Sequence, residues 1–469
     1  MTTTLIAILV ATSIVILATI VPTYVISAKK KTTEEDWAIA NRSLPTYVVV
    51  GTQFASAMGG GVLVAHLGNA YNNGVGVLLY GALVCSVFLV IMGLGRWLRR
   101  NNYTTIPEIL GTFTGNNKLV RIFAAVMSLI VPYGWITSQI TAFGNIYSTL
   151  TGLDYTMICI VFAAVSLLFV LPSGLKTVAW TDFFLGCFML LICGICIVFT
   201  IKKGGGWSNI AANLNAIDPN LLSFGGSLKN NIGAQAALLW IFAVLPGGMT
   251  NQCYYQRVCA IDSEKHVNKS LILSAVVVMI SYFWAIFMGV SIRSINPATD
   301  APTAWFMGQL PLVLMALFAA LVFATIMSSL STGVQTCVMN ITRDLLPIIK
   351  PDLSEKKTLN ISRILSVALM IIALIMCLAL TDTLTWLTAT YAYSAATLAC
   401  PIFLSHAFRN KKWFITTPGI IAGMIGGVVG CVVGTILKTA VNYAAIGIAF
   451  SFVAMMVTCA LTHKKPQEA

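Results

Sequence analysis

One pattern governs the chain: an apolar run long enough to span a bilayer, closed by a short polar segment, repeated thirteen times. A hydrocarbon core ~30 Å thick takes about 20 apolar residues in helical form. The runs lie near residues 4–26, 44–71, 74–96, 121–150, 154–174, 178–201, 232–256, 270–293, 303–340, 360–381, 384–408, 416–438 and 442–461. Inside hydrocarbon a backbone N–H or C=O finds no water, so each run has to satisfy its own hydrogen bonds as a helix. Hydrophobic residues make up 58% of the chain and charged ones 9%, with a mean hydropathy of +0.88, more apolar surface than a water-soluble interior can hide. The expectation is an all-α integral membrane protein of about 13 transmembrane helices.

The polar segments orient it. Thr4 to Ile26 has no basic residue ahead of it and no small-residue cleavage site, and Lys29, Lys30 and Lys31 follow it, so it reads as a retained helix rather than a signal peptide. The net charge of +13 suggests nucleic acid until its positions are considered: the basic residues sit in short loops beside apolar runs, as the positive-inside rule requires. With the N-terminus outside, all but five of the 28 Lys and Arg fall on the cytoplasmic side, the exceptions being Lys202, Lys203, Lys229, Arg293 and Lys438. An odd number of helices leaves the C-terminus cytoplasmic. The expected home is the cell membrane, with lipid as a partner and no nucleic acid.

No connection has room for a soluble domain. The longest, 202–231, lies outside and is rich in Gly and Asn, while 97–120 is the main cytoplasmic segment, where Thr105 and Glu108 form a capping-box pattern on an expected solvated surface helix. Twelve cysteines sit mostly within apolar runs with no spacing of a disulfide scaffold, and the CxxC of Cys193 and Cys196 reads as packing. HExxH, GxSxG and metal-ligand clusters are absent, so neither an enzyme nor a cofactor is expected.

Interruptions inside the runs say more than the runs. The second carries Gly59, Gly60 and Gly61 at its middle; the seventh carries Pro246, Gly247 and Gly248. Both loosen backbone hydrogen bonding at membrane depth, which is tolerated only against protein or a cavity. The breaks are five helices apart. Because five is odd, the two halves have opposite topology, the pattern of an inverted-repeat transporter with a midplane site. The twelfth run, with Gly419, Gly423, Gly426, Gly427, Gly430 and Gly434, gives overlapping GxxxG spacings, read as close packing within the chain, a dimer interface being the alternative.

In the ninth run Thr325, Ser328, Ser329 and Thr332 recur at i, i+3, i+4 and i+7, with Ser331 at the margin, forming one hydroxyl stripe. Two readings fit. Hydroxyl and carbonyl oxygens are the ligands of a hard cation; equally, Ser and Thr bond back to their own helix or join helices. Asp182, in the sixth run, is the only acidic residue expected within a helix rather than at its end. An intramembrane carboxylate is costly and points to an ion or proton ligand; the plain alternative is that it complements the positive end of its helix. His66, after the first break, reads as structural, with a proton-linked role as the alternative.

Several pieces then align. Gly68, Ala70, Tyr71 and Gly74 follow the first break; Thr181 and Asp182 lie in the sixth run; Asn251, Gln252, Gln256 and Arg257 form NQxxxQR after the second break; Ser328, Ser329 and Asp344 surround the stripe. In this order and spacing, over most of its length, the chain resembles the sodium:solute symporters, the family of bacterial proline, sialic acid and sugar symporters. The resemblance implies a leucine-transporter-like fold: a peripheral helix and cytoplasmic loop at 1–43, a first five-helix repeat at 44–201, an extracellular loop at 202–231, a second, inverted repeat at 232–408, and two peripheral helices with a cytoplasmic tail at 409–469.

It also implies a sodium site on the backbone oxygens of Ala55, Met58 and Thr325 and the hydroxyls of Ser328 and Ser329. Many members have Ala where this chain has Thr325; a carbonyl ligand survives that change. A second sodium site, as in members similar to sialic acid transporters, falls on Asp182, Ser328, Ser331 and Thr332, although the proline branch keeps the aspartate with one sodium. Ala57 stands where proline-type members carry an acidic residue. The solute is expected between the breaks, near Gly59, Gly60, Trp135, Gln139, Trp240, Phe242, Asn251 and Tyr391, the aromatics having ordinary packing as their other explanation. With no embedded Arg or Lys to pair with an anion, a small neutral or zwitterionic organic solute is expected, a carboxylate being held, if at all, by the positive end of a half-helix.

The expected function is sodium-coupled symport by alternating access, with sodium as coupling ion, in a monomer or weak homo-oligomer. The alternatives are a proton-coupled or uncoupled carrier of the same fold and, in another class, a channel or a membrane-embedded solute sensor.

Overall fold

A computed structural model describes residues 3–29, 33–172, 174–379, 383–411, 414–437 and 441–463; Lys30, Lys31, Lys412, Lys438, Lys464 and Lys465, counted above for orientation, lie outside them. The described chain is helical, its one β-like feature an isolated bridge between Leu44 and Ile261. The helices that matter below are α1 (Thr3–Lys29), α2 (Thr46–Ala57), α3 (Gly61–Asn73), α4 (Leu78–Arg100), α5 (Ile106–Phe113), α6 (Lys118–Thr151), α7 (Tyr155–Val170) and α8 (Leu175–Lys203). They continue as α9 (Trp207–Ile217), α10 (Ala234–Met249), α11 (Gln252–Ala260), α12 (Val267–Ile295), α13 (Pro302–Gly308), α14 (Leu312–Ile349), α15 (Glu355–Ala379), α16 (Thr385–Ala407), α17 (Thr417–Leu437) and α18 (Tyr443–Thr462).

Among the described residues, ten helical spans are long and apolar enough to cross a membrane, and α2 with α3, bent by 50°, makes an eleventh. Helix α1 and the 16-residue α7 match the first and fifth expected spans. Burial orders them. The most apolar window of α14 is 78% buried, and so is that of α16, whereas α15 and α18 reach 28%. Helices α14 and α16 therefore form the centre, and α15 and α18 give their outer faces to lipid.

Three expectations are corrected. The ninth span begins at Leu312, with Pro311 at its N-cap, and Pro302–Gly308 is a separate short helix that ends at its own cap, Gln309. The second break lies at Thr250 and Asn251, not at Pro246–Gly248, which stay helical. Gly247 answers a packing demand instead: a Cβ there would sit 2.4 Å from the Tyr391 carbonyl oxygen on α16. The capping box of Thr105 and Glu108 is present, but α5 is no solvated helix, since Ile106, Ile109 and Leu110 are buried. In the 202–231 connection, Asp218 accepts from Asn220 N at 2.9 Å and Asn231 Nδ2 at 2.8 Å, which hold its carboxyl below the usual range.

The glycines of α17 pack within the chain. A Cβ on Gly430 would lie 2.9 Å from Gly447 Cα of α18, and one on Gly427 would lie 2.0 Å from the Ala396 carbonyl of α16. Only backbone fits there. Gly427→Ala is therefore expected to destabilise the protein by about 1–3 kcal/mol through overpacking. Gly194→Ala, at a position with open space, leaves the melting temperature in detergent unchanged.

Candidate sodium and solute site

The site starts from a missing helical bond. In an unbroken helix the Gly60 N–H donates to the Ser56 carbonyl. Here Gly60 N–H donates to Gln139 Oε1 of α6 at 2.7 Å, and the Ser56 carbonyl accepts from Ser329 Oγ of α14 at 3.1 Å. Two side chains from different helices thus satisfy the two halves of the lost bond, which hydrocarbon would otherwise leave bare. Gly59 has to be glycine, because a Cβ would stand 2.5 Å from Ser329 Oγ and 2.6 Å from Gln139 Oε1. Ala55 and Met58 end α2 at this point, both buried.

The hydroxyl stripe divides its labour. Thr325 spends its hydroxyl on its own helix, at 3.0 Å from Leu321 O and 3.2 Å from Val322 O, while its carbonyl accepts from Ser329 at 2.9 Å. Ser328 donates to Asp182. Thr332 Oγ1 accepts from Arg257 at 3.1 Å, and Ser331 is buried beside it on the same helix. Each of these contacts is a bond back to the same helix or a bond that joins helices.

Asp182 is fully buried, eight residues into α8, too far from the helix end for the macrodipole alternative. Its carboxylate accepts from Thr52 Oγ1 at 2.5 Å and from Ser328. Sequence reasoning expected no embedded base, yet Arg257 on α11 is fully buried. Its Nη2 donates to Thr52 Oγ1 at 3.1 Å, Ser56 Oγ at 2.9 Å and Thr332 Oγ1 at 3.1 Å. Thr52 thus receives from the cation and donates to the anion, joining two buried charges through one hydroxyl. A second buried acid was also missed: Asp344 of α14 accepts from Thr105 Oγ1 at 3.0 Å and pairs with Arg121 Nη2 at 3.4 Å.

Each polar residue of NQxxxQR has a partner. Asn251 caps α11 through Cys253 N at 3.0 Å; Gln252 holds Thr104 O and Ile106 N, each at 2.8 Å; Gln256 donates to Ala38 O and accepts from Thr336. With Leu44 N donating to Ala260 O at 3.0 Å, the start of the first broken span is tied to the end of the second.

A narrow cavity of about 50 Å³ lies beside the first break, and Trp135, Gln139 and Tyr391 are among the residues that line it. Trp135 Nε1 donates to Tyr391 Oη at 3.0 Å. Phe242 is corrected: it is 37% exposed, since two positions along a helix turn it away from Trp240. Trp240 and Asn251 stand outside the lining, Trp240 backing it through Tyr80 with ring centroids 5.6 Å apart. Missed were Gln53, Ser56, His66, Tyr80, Tyr254 and Tyr282. A signal for some of them existed: Tyr80, Val84 and Phe88 recur every four residues on one face of α4, as do Val278 and Tyr282 on α12.

Against known proteins, the model of the sodium:solute symporter family matches residues 37–427. The chain belongs to the sodium:solute symporter family. Its relatives include a sodium/glucose cotransporter of Vibrio parahaemolyticus, 24% identical over 74% of this chain and 70% of the relative. A high-affinity proline transporter, PutP, of Bacillus subtilis is 24% identical over 84% and 85%. Among solved structures, a substrate-bound, outward-open Na+-coupled sialic acid symporter superposes with a TM-score of 0.82 at 15% identity, covering 98% and 99% of the two chains. A nucleobase-cation-symport-1 family transporter in a closed conformation gives 0.58 at 15% identity, covering 92% and 96%. The fold is leucine-transporter-like, and this family member is a multi-pass, sodium-coupled secondary transporter of small solutes.

The buried charges make a stability prediction. Asp182→Ala strands Arg257 without its compensating charge and is expected to cost about 3–5 kcal/mol. Adding Arg257→Met recovers much of that loss, which thermal unfolding of the purified single and double variants measures.

Proposed function

We propose that the coupling sodium sits where α14 splices the first broken span, held by the carbonyls of Ala55, Met58 and Thr325 and the hydroxyls of Ser328 and Ser329. The observation behind this reading is the contact from Ser329 Oγ to the Ser56 carbonyl, which brings a hydroxylated helix against a backbone with broken ladder bonds. Oxygen atoms alone line the proposed cage, as a hard cation prefers. Sodium binding draws α2 and α14 together and organises the adjoining cavity for solute.

The halves 44–201 and 232–408 then act as inverted repeats that rock about this site, with the N-terminus outside, the C-terminus cytoplasmic and the plasma membrane as the setting. One charge moving through 100 mV supplies about 2.3 kcal/mol, enough to concentrate a neutral solute by up to about fiftyfold. A second sodium at Asp182, Ser328, Ser331 and Thr332 has to share Thr332 with the Arg257 guanidinium. Arg257 already supplies positive charge there, so this reading carries one ion. The cavity favours a small neutral or zwitterionic organic solute.

Uptake into proteoliposomes tests the coupling. An inward sodium gradient is expected to drive accumulation, and Ser329→Ala to raise the half-saturating sodium concentration roughly tenfold or more, as befits loss of a polar ligand to a charge. Accumulation that ignores sodium and follows a proton gradient would replace sodium by protons in this account.

A further inference from the structure

Sodium coupling leaves His66 without a task. The side chain is 2% exposed and lines the central cavity, and neither ring nitrogen has a hydrogen-bond partner among the described residues. Its ring stands edge-on to Tyr80, with centroids 4.4 Å apart, and tilted against Tyr282 at 4.7 Å. The two phenol rings hold the imidazole in place, so it is a preset polar group in the cavity wall. Buried polar groups normally find partners. For His66 the partner has to come from the cavity.

The chemistry of that partner follows from the walls. Among the described residues that line the cavity there is no Asp, Glu, Lys or Arg. An imidazolium buried without a counter-charge is disfavoured, so the ring is neutral, with one N–H donor and one lone-pair acceptor. The same uncharged lining strips water from an ionic solute and offers no opposite charge in return. Gln139 has its carbonyl engaged by Gly60 N–H, which leaves its NH2 group to donate. Aromatic faces around a narrow space of about 50 Å³ suit a small flat molecule.

We propose that His66 recognises the transported solute, its neutral imidazole pairing with an uncharged amide, lactam or ureide group. This inference rests on the transport reading and names the solute class for its cavity.

Purified protein in liposomes with an inward sodium gradient is challenged on a solid-supported membrane with three neutral probes, hydantoin, 2-pyrrolidone and propionamide, and two charged ones, propionate and ethylammonium. Neutral probes are expected to evoke sodium-dependent currents and charged ones not. His66→Leu is expected to raise KM for the neutral probes roughly tenfold or more with little change in maximal current, whereas His66→Gln, which keeps a donor and an acceptor, stays within about threefold. A sodium-induced rise in melting temperature, recorded for each variant, establishes that it is folded and binds the ion. Currents from charged probes alone, silence from all neutral probes, or a wild-type KM in His66→Leu would each overturn the proposal while the sodium response keeps the transport reading intact. Loss of any sodium response in the wild type would remove that reading and the proposal with it.

Discussion

A helix cannot break inside hydrocarbon unless something else takes up the bonds it gives away, and in this protein two named side chains do so. Gln139 takes the Gly60 N–H and Ser329 supplies the Ser56 carbonyl. The consequence reaches beyond local stability, because the two partners come from α6 and α14, the helices that also wall the cavity and carry the hydroxyl stripe. The break, the proposed cation cage and the adjoining cavity are therefore one structure seen from three sides. Gly59 is the steric condition for all of it, since any side chain there would push both partners away.

Around that splice lies a charge pair that the membrane makes expensive. Arg257 and Asp182 are both fully buried and meet through the Thr52 hydroxyl. A cation in the proposed cage would alter the balance of this cluster, because Ser328 touches Asp182 and Ser329, the next residue, touches the break. In the proposed cage, sodium and Arg257 would act on neighbouring atoms of one short stretch of α14. That proximity gives the ion a direct means of shifting α11, which carries Arg257 and is itself joined to the start of the first broken span at Leu44.

Much of this was legible in the residue order. Thirteen apolar runs and a Gly triplet at the middle of the second pointed to the fold and its first break, because hydrocarbon thickness and backbone satisfaction leave little freedom. The i, i+3, i+4, i+7 hydroxyls of α14 marked the right helix face. Arg257 and Asp344 were not seen as buried, since a hydropathy reading assigns charged residues to loops or helix ends, and their burial depends on partners in Thr52 and Thr105 far away in sequence. Pro246 drew the second break four residues too early, whereas the helix tolerates it and turns only at Thr250 and Asn251. Trp240 and Phe242 were grouped by residue type although residues two positions apart on a helix point to opposite sides. The tyrosines of the lining come from α4, α11, α12 and α16, and only the tertiary fold brings them together.

The most direct test of the central claim is amide hydrogen exchange across residues 55–62 and 325–330 in purified protein, with sodium against an equal concentration of potassium. Sodium alone is expected to slow exchange in both segments together, since it would bind the broken ladder and the stripe as one unit. Exchange that is identical in the two salts, or slowed in only one segment, would contradict a cation held between them.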